Sequence, residues 1–97
     1  MFISIENPKE NPMNLMRKVG YFFQGNAQDE MSFIRPLARA GYPRFHAYVK
    51  MEGAKFVIKL HLDQKRETYG QSTRHHGEYE DDGALKTEGD MIKQTLA

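Results

Sequence analysis

Four histidines lie in this 97-residue chain, and two of them fall in strand-like stretches on one expected face: His61, two residues before a carboxylate in His61-Leu62-Asp63, and His46, in Arg44-Phe45-His46, diagonally across from His61. Residues two apart on a strand point the same way, so His61 and Asp63 share a face. Two imidazoles and a carboxylate hold a divalent metal, or serve as acid and base in cleaving a phosphodiester. His76 and Glu78, again two apart, extend the candidate metal set to His46, His61, Asp63, His76 and Glu78, whereas His75 diverges from its neighbour on an extended chain. Spacings of this kind also arise by chance, and an exposed histidine ordinarily does no more than titrate. The default expectation is no cofactor, with a divalent metal on those five residues as the alternative.

A second chemistry comes from cations interleaved with an aromatic ring. Arg44, His46, Tyr48, Lys50, Lys55, Lys59 and His61 alternate with apolar residues, and Arg35, Arg39, Lys65 and Arg66 are expected nearby. Lysine and arginine neutralise phosphates, and Tyr48 offers a base a surface to stack on, so RNA or single-stranded DNA is the expected partner. The competing account is that a solvated sheet face must be polar and that lysines guard sheets against aggregation. The run Glu78, Glu80, Asp81 and Asp82 reads as a cation site or nucleic-acid mimic, or as negative charge suited to the start of a last helix.

Residues 44–62 must position most of these side chains, and they read as a β-hairpin. A two-residue loop at Glu52-Gly53 places Met51 opposite Ala54 and collects the apolar pairs Val49/Phe56, Ala47/Ile58 and Phe45/Leu60 on one face. The other face then collects Lys50/Lys55, Tyr48/Val57, His46/Lys59 and Arg44/His61, with His46 diagonal to His61. A one-residue slip would mix the two sets. Upstream, residues 2–5 suit a short edge strand within an N-terminal arm over residues 1–10. Asn11 caps a helix with Pro12 at its first position; Leu15, Met16 and Val19 form its apolar face, and Gly20 ends it. Residues 21–24 are strand-like, Gly25-Asn26 is turn chemistry, and residues 31–37 form a strand whose Pro36 argues for an edge or irregular position. Residues 63–82 make a long polar loop. Asp82 then caps a last helix carrying Leu85, Met91, Ile92 and Leu96, which Gly89 weakens by about 1 kcal/mol relative to alanine. The expected fold is α+β: an antiparallel meander of three to four strands, with an N-terminal and a C-terminal helix on one face and the other face open.

The chain is short enough for one domain. It has no cysteine, which excludes disulfides, thiolate zinc sites and cysteine nucleophiles, and a cytoplasmic location is expected. No stretch approaches the roughly 18 apolar residues of a membrane span, so no membrane partner is expected. The net charge of +1 hides an asymmetry: residues 1–74 carry twelve Lys/Arg against seven Asp/Glu, and residues 75–97 carry two against six. A basic body attracts polyanions, and an acidic tail either covers that surface or aids solubility. Phosphate-cradling glycine loops, helical His-Glu-x-x-His zinc motifs and nucleophile elbows are all missing.

Asn14-Leu15-Met16-Arg17, Gly20-Tyr21, residues 30–37, residues 41–46, residues 60–65 and His76-Gly77-Glu78-Tyr79-Glu80 together resemble a group of small uncharacterised prokaryotic proteins. That resemblance covers most of residues 14–82 and implies a shared domain without an assigned activity. A more distant likeness, over Leu15 to Tyr21 and at His46, is to the HicA-type toxins, small ribonucleases on a fold similar to the double-stranded-RNA-binding domain. It implies a catalytic His46, although that family places Gly-Ser before its histidine where this chain has Arg44-Phe45. The functional order is therefore nucleic-acid binding first. A histidine-based metal site or ribonuclease-like enzyme on His46, His61 and Asp63 comes next, and a protein-interaction module or homodimer formed through a sheet edge is third.

Overall fold

The computed structural model describes residues 1–64 and 83–97. Its strands are β1 (Phe2–Glu6), β2 (Phe22–Ala27), β3 (Glu30–Pro36), β4 (Arg44–Glu52) and β5 (Lys55–Asp63), and its helices are α1 (Pro12–Lys18) and α2 (Gly83–Leu96). The strands form one antiparallel sheet in the order β1-β5-β4-β3-β2. The fold is thus α+β with a five-stranded sheet, one strand beyond the expected meander. The extra strand comes from the N-terminal arm: β1 crosses to the far side of β5, where Met1 and Leu60 exchange backbone hydrogen bonds at the strand end. Pairing with a distant strand leaves no local signal beyond the alternation of Ile3 and Ile5 inward, so the arm was legible as a strand but its partner was not.

The hairpin forms with its two faces as expected and its turn one residue later. Glu52 pairs with Lys55 around Gly53-Ala54, so Phe45 lies opposite Leu62, Ala47 opposite Leu60 and Val49 opposite Ile58. Gly53 has φ +63° and Ala54 has no positive φ, the pattern of a type II′ turn, which asks for glycine at its first central position rather than its second. The pairing is displaced by two residues, and since side chains alternate with a period of two, neither face changes its membership. What changes is who meets whom: His46 now faces His61 directly, and Arg44 faces Asp63.

β2 and β3 also depart from the pattern expected of them. Gly25-Asn26 is not a turn but part of β2. The register shifts between Phe23 and Gly25, leaving Gln24 as the extra residue of a bulge, and the turn lies at Gln28-Asp29. β3 is interior rather than at an edge, and Pro36 is tolerated because it is the strand's last residue, beyond which a donor is dispensable.

Helix α1 begins at Asn11, whose side-chain oxygen accepts from the Asn14 amide at 2.9 Å, with Pro12 at the first turn. It ends in a Schellman motif: Gly20, at φ +88°, donates to the Arg17 carbonyl and Tyr21 donates to that of Met16. Leu15, Met16 and Val19 are buried as their spacing implied. α1 packs on β2 and β4, and α2 on β1 and β5, so both helices cover the face carrying Ile3, Ile5, Phe33, Phe45, Ala47, Val49, Phe56, Ile58 and Leu60. From α2, Leu85, Ile92 and Leu96 enter this core while Met91 is only partly buried. Gly89 is buried against Met1 and Ile3, where the helix approaches β1 too closely for a β-carbon without displacing Met1. The expected cap at Asp82 lies outside the described residues.

A polar cluster sits at the margin of this core. Glu88 of α2, 5% exposed, accepts from Arg35 Nη2 at 2.6 Å and Nε at 2.9 Å, and from the Tyr21 hydroxyl at 2.7 Å. Arg35, expected among the cations of the open face, is therefore on the helix side, with its guanidinium over the Phe45 ring. Alternation from Phe33 dictates this orientation, and Arg35 keeps the buried Glu88 charge paired.

Candidate functional site

The face away from the helices collects every odd residue of β5 from Lys55 to Asp63 and every even residue of β4 from Arg44 to Glu52. Ser4 and Glu6 come from β1, Ser32 and Ile34 from β3, and Phe22 from β2. Arg44, His46, Tyr48, Lys50, Lys55, Lys59 and His61 are all there, on one face as the alternation required.

At its centre, ring contacts run through three residues. The His46 and Tyr48 rings lie 4.4 Å apart at 33°, and Tyr48 meets His61 edge-on at 6.1 Å. Lys59 Nζ stands 5.4 Å over the Tyr48 ring, and the Arg44 guanidinium lies 4.4 Å over Tyr42, which closes the connection into β4.

Among the described residues the face is not basic on balance. Arg44 reaches Asp63 at 3.3 Å, Lys59 reaches Glu30 at 3.8 Å, and Lys50 reaches Glu52 at 3.4 Å and Asp29 at 3.9 Å. Lys55 is set in register between Glu6 and Glu52. These carboxylates come from the same strands and turns. In the described part of the acidic tail, Glu88 serves Arg35 and Asp90 pairs with Lys86 within α2.

The most organised group is His46. Its Nδ1 lies 3.3 Å from Asp63 Oδ2, and its Nε2 lies 2.7 Å from Ser32 Oγ. A carboxylate only accepts, so Nδ1 carries the hydrogen; in the neutral ring Nε2 is then the acceptor and the Ser32 hydroxyl the donor. The hydrogen bond from His46, aided by the one from Arg44, holds the Asp63 carboxyl below its usual range against the opposing effect of burial. Ser32 was not among the expected site residues. It is diagonal to His46 across the β3-β4 pair, and a lone serine in a strand carries no signal for such a contact.

Of the five expected metal ligands, His46, His61 and Asp63 do gather on one face, while His76 and Glu78, like His75, Lys65, Arg66 and the run from Glu78 to Asp82, lie outside the described residues. Among the described residues no group of three or more histidines and carboxylates has the geometry of a metal site. The outer edges of the sheet belong to β1 and β2. β2 carries no charged residue and exposes Phe22 at 65% and Phe23 at 41%, next to a groove shared with Met13 and Arg17 of α1.

No family model, curated protein or solved structure matches the chain.

Proposed function

We propose that this domain binds single-stranded nucleic acid, RNA in the first instance, across its open sheet face. The observation that carries the reading is the run of rings from His46 through Tyr48 to His61, flanked by Lys59 and Arg44. Bases stack on such rings whatever their identity, each contact contributing about 1–3 kcal/mol. The paired cations give the reading a specific salt dependence. Four phosphates neutralised by free cations would give a slope of log K against log salt of about −2.8 for a single strand, and internal pairing with carboxylates makes the slope shallower than that. Anisotropy titration of a labelled mixed-sequence RNA tests this. Tyr48→Ala is expected to weaken binding about 5- to 150-fold, as removal of one stacked base implies. Absence of binding at about 50 mM salt, where phosphate contacts are strongest, sinks the proposal.

A second reading, self-association, has support from β2, an uncharged outer strand with two exposed phenylalanines and none of the lysines that ordinarily protect an edge. A two-fold antiparallel pairing of β2 with its copy would meet no like-charge opposition. Sedimentation over a wide concentration range is expected to show a dimer that Gln24→Lys weakens; a strict monomer at high concentration removes this reading.

A further inference from the structure

We propose that Ser32, His46 and Asp63 act as nucleophile, base and orienter in the hydrolysis of neutral carboxylic esters. The proposal goes beyond nucleic-acid binding and does not depend on it. Three observations meet at these residues. Ser32 Oγ is 2.7 Å from Nε2, within range for direct proton transfer. Asp63 holds the opposite nitrogen at 3.3 Å, which selects the tautomer whose Nε2 lone pair faces the hydroxyl. The Tyr48 ring packs on the imidazole at 4.4 Å and restricts its rotation, while Arg44 Nε anchors the same Asp63 oxygen that receives Nδ1–H. The three residues come from three adjacent strands, so rigid elements set their geometry.

The chemistry balances without a further reactant beyond water. Ser32 Oγ attacks the ester carbonyl as its proton passes to His46 Nε2. The C–O bond to the alkoxide breaks, and Nε2 returns the proton to the leaving oxygen, releasing the alcohol and an acyl-Ser32. Water then attacks the acyl carbon, giving its proton to Nε2. The bond to Ser32 breaks, Oγ recovers the proton, and the carboxylic acid departs. Asp63 remains ionised throughout and acts through His46 as a positioning residue. A neutral ester fits better than a phosphodiester, because Arg44 and Lys59, the cations flanking this group, already face Asp63 and Glu30.

The experiment is covalent labelling of the intact chain with an alkyl fluorophosphonate, with the adduct located by peptide mass spectrometry, alongside turnover of p-nitrophenyl acetate. The expected result is a single adduct on Ser32, labelled at least tenfold more slowly in His46→Ala and Asp63→Asn, with partial recovery in Asp63→Glu and unchanged circular dichroism. Locating the adduct in the unaltered protein requires no variant to fold. An unmodified Ser32, or a labelling rate indifferent to His46→Ala and Asp63→Asn, overturns the proposal. RNA titration of the same samples separates the two readings: RNA binding without an adduct overturns the relay alone, and an adduct without RNA binding leaves the relay standing.

Discussion

His46 is held at both ring nitrogens, and Asp63 is held by both His46 and Arg44, so the acid side of the stability curve should carry the signature of Asp63. The Asp63 carboxyl titrates below its usual value, chiefly because His46 hydrogen-bonds its ionised form. A depressed acid adds stability above its unfolded value of about 3.9 and loses it as pH falls through the folded one. Thermal melts should therefore show a steeper loss below about pH 4 in the unaltered protein than in Asp63→Asn; superimposable acid limbs would show that the contact contributes nothing. The side chains themselves were readable, since alternation put His46, His61 and Asp63 on one face. Ser32 was not, because its role depends on which residue of a neighbouring strand stands diagonal to it.

At the scale of elements, local chemistry sets the ends and long-range contacts hold the middle. Asn11→Ala should cost about 1 kcal/mol in urea unfolding by removing the α1 cap, and an effect near zero would show that packing alone defines that terminus. The cap, the proline and the terminal glycine of α1 all lie within ten residues and were legible as such. The anchoring of α2 was not. Its weak apolar stripe is supplemented by Glu88, which joins Tyr21 and Arg35 from elements more than fifty residues away. Glu88→Ala leaves the buried Tyr21 hydroxyl without its acceptor and Arg35 without its counter-charge, and should cost about 3 kcal/mol. Tyr21→Phe keeps both arginine bonds and should cost only about 1 kcal/mol. Equal losses in the two variants would contradict this hierarchy.

For the molecule as a whole, the same cluster makes an alkaline prediction. Burial, reinforced by the neighbouring Glu88, pushes the Tyr21 phenol far above its ordinary value. The neutral form is favoured in the fold, so this stability is intact below the unfolded value of about 10 and is lost as pH rises beyond it. Ultraviolet titration should find a phenol that ionises only with unfolding and that Tyr21→Phe removes, and the same substitution should flatten the alkaline limb; a Tyr21 phenol that ionises in folded protein would refute it. The sheet also redistributes charge. On the open face, Arg44, Lys50 and Lys59 are each paired with cross-strand or turn carboxylates, which moves the expected nucleic-acid affinity from phosphate neutralisation toward stacking. Among the described residues no helix is long and apolar enough to cross a membrane.

The sequence by itself determined which side chains share a face, where α1 begins and ends, and that the chain pairs an antiparallel sheet with two helices. These follow from periodicities of two and 3.6 and from caps, all properties of short stretches. Only the tertiary structure decided that β1 closes the sheet on β5, that His46 meets His61 and reaches Ser32 and Asp63, and that Arg35 finds Glu88 as its partner. A two-residue slide leaves both hairpin faces unchanged yet changes every cross-strand partner, so alternation cannot specify contacts that the turn geometry and the neighbouring strands must choose.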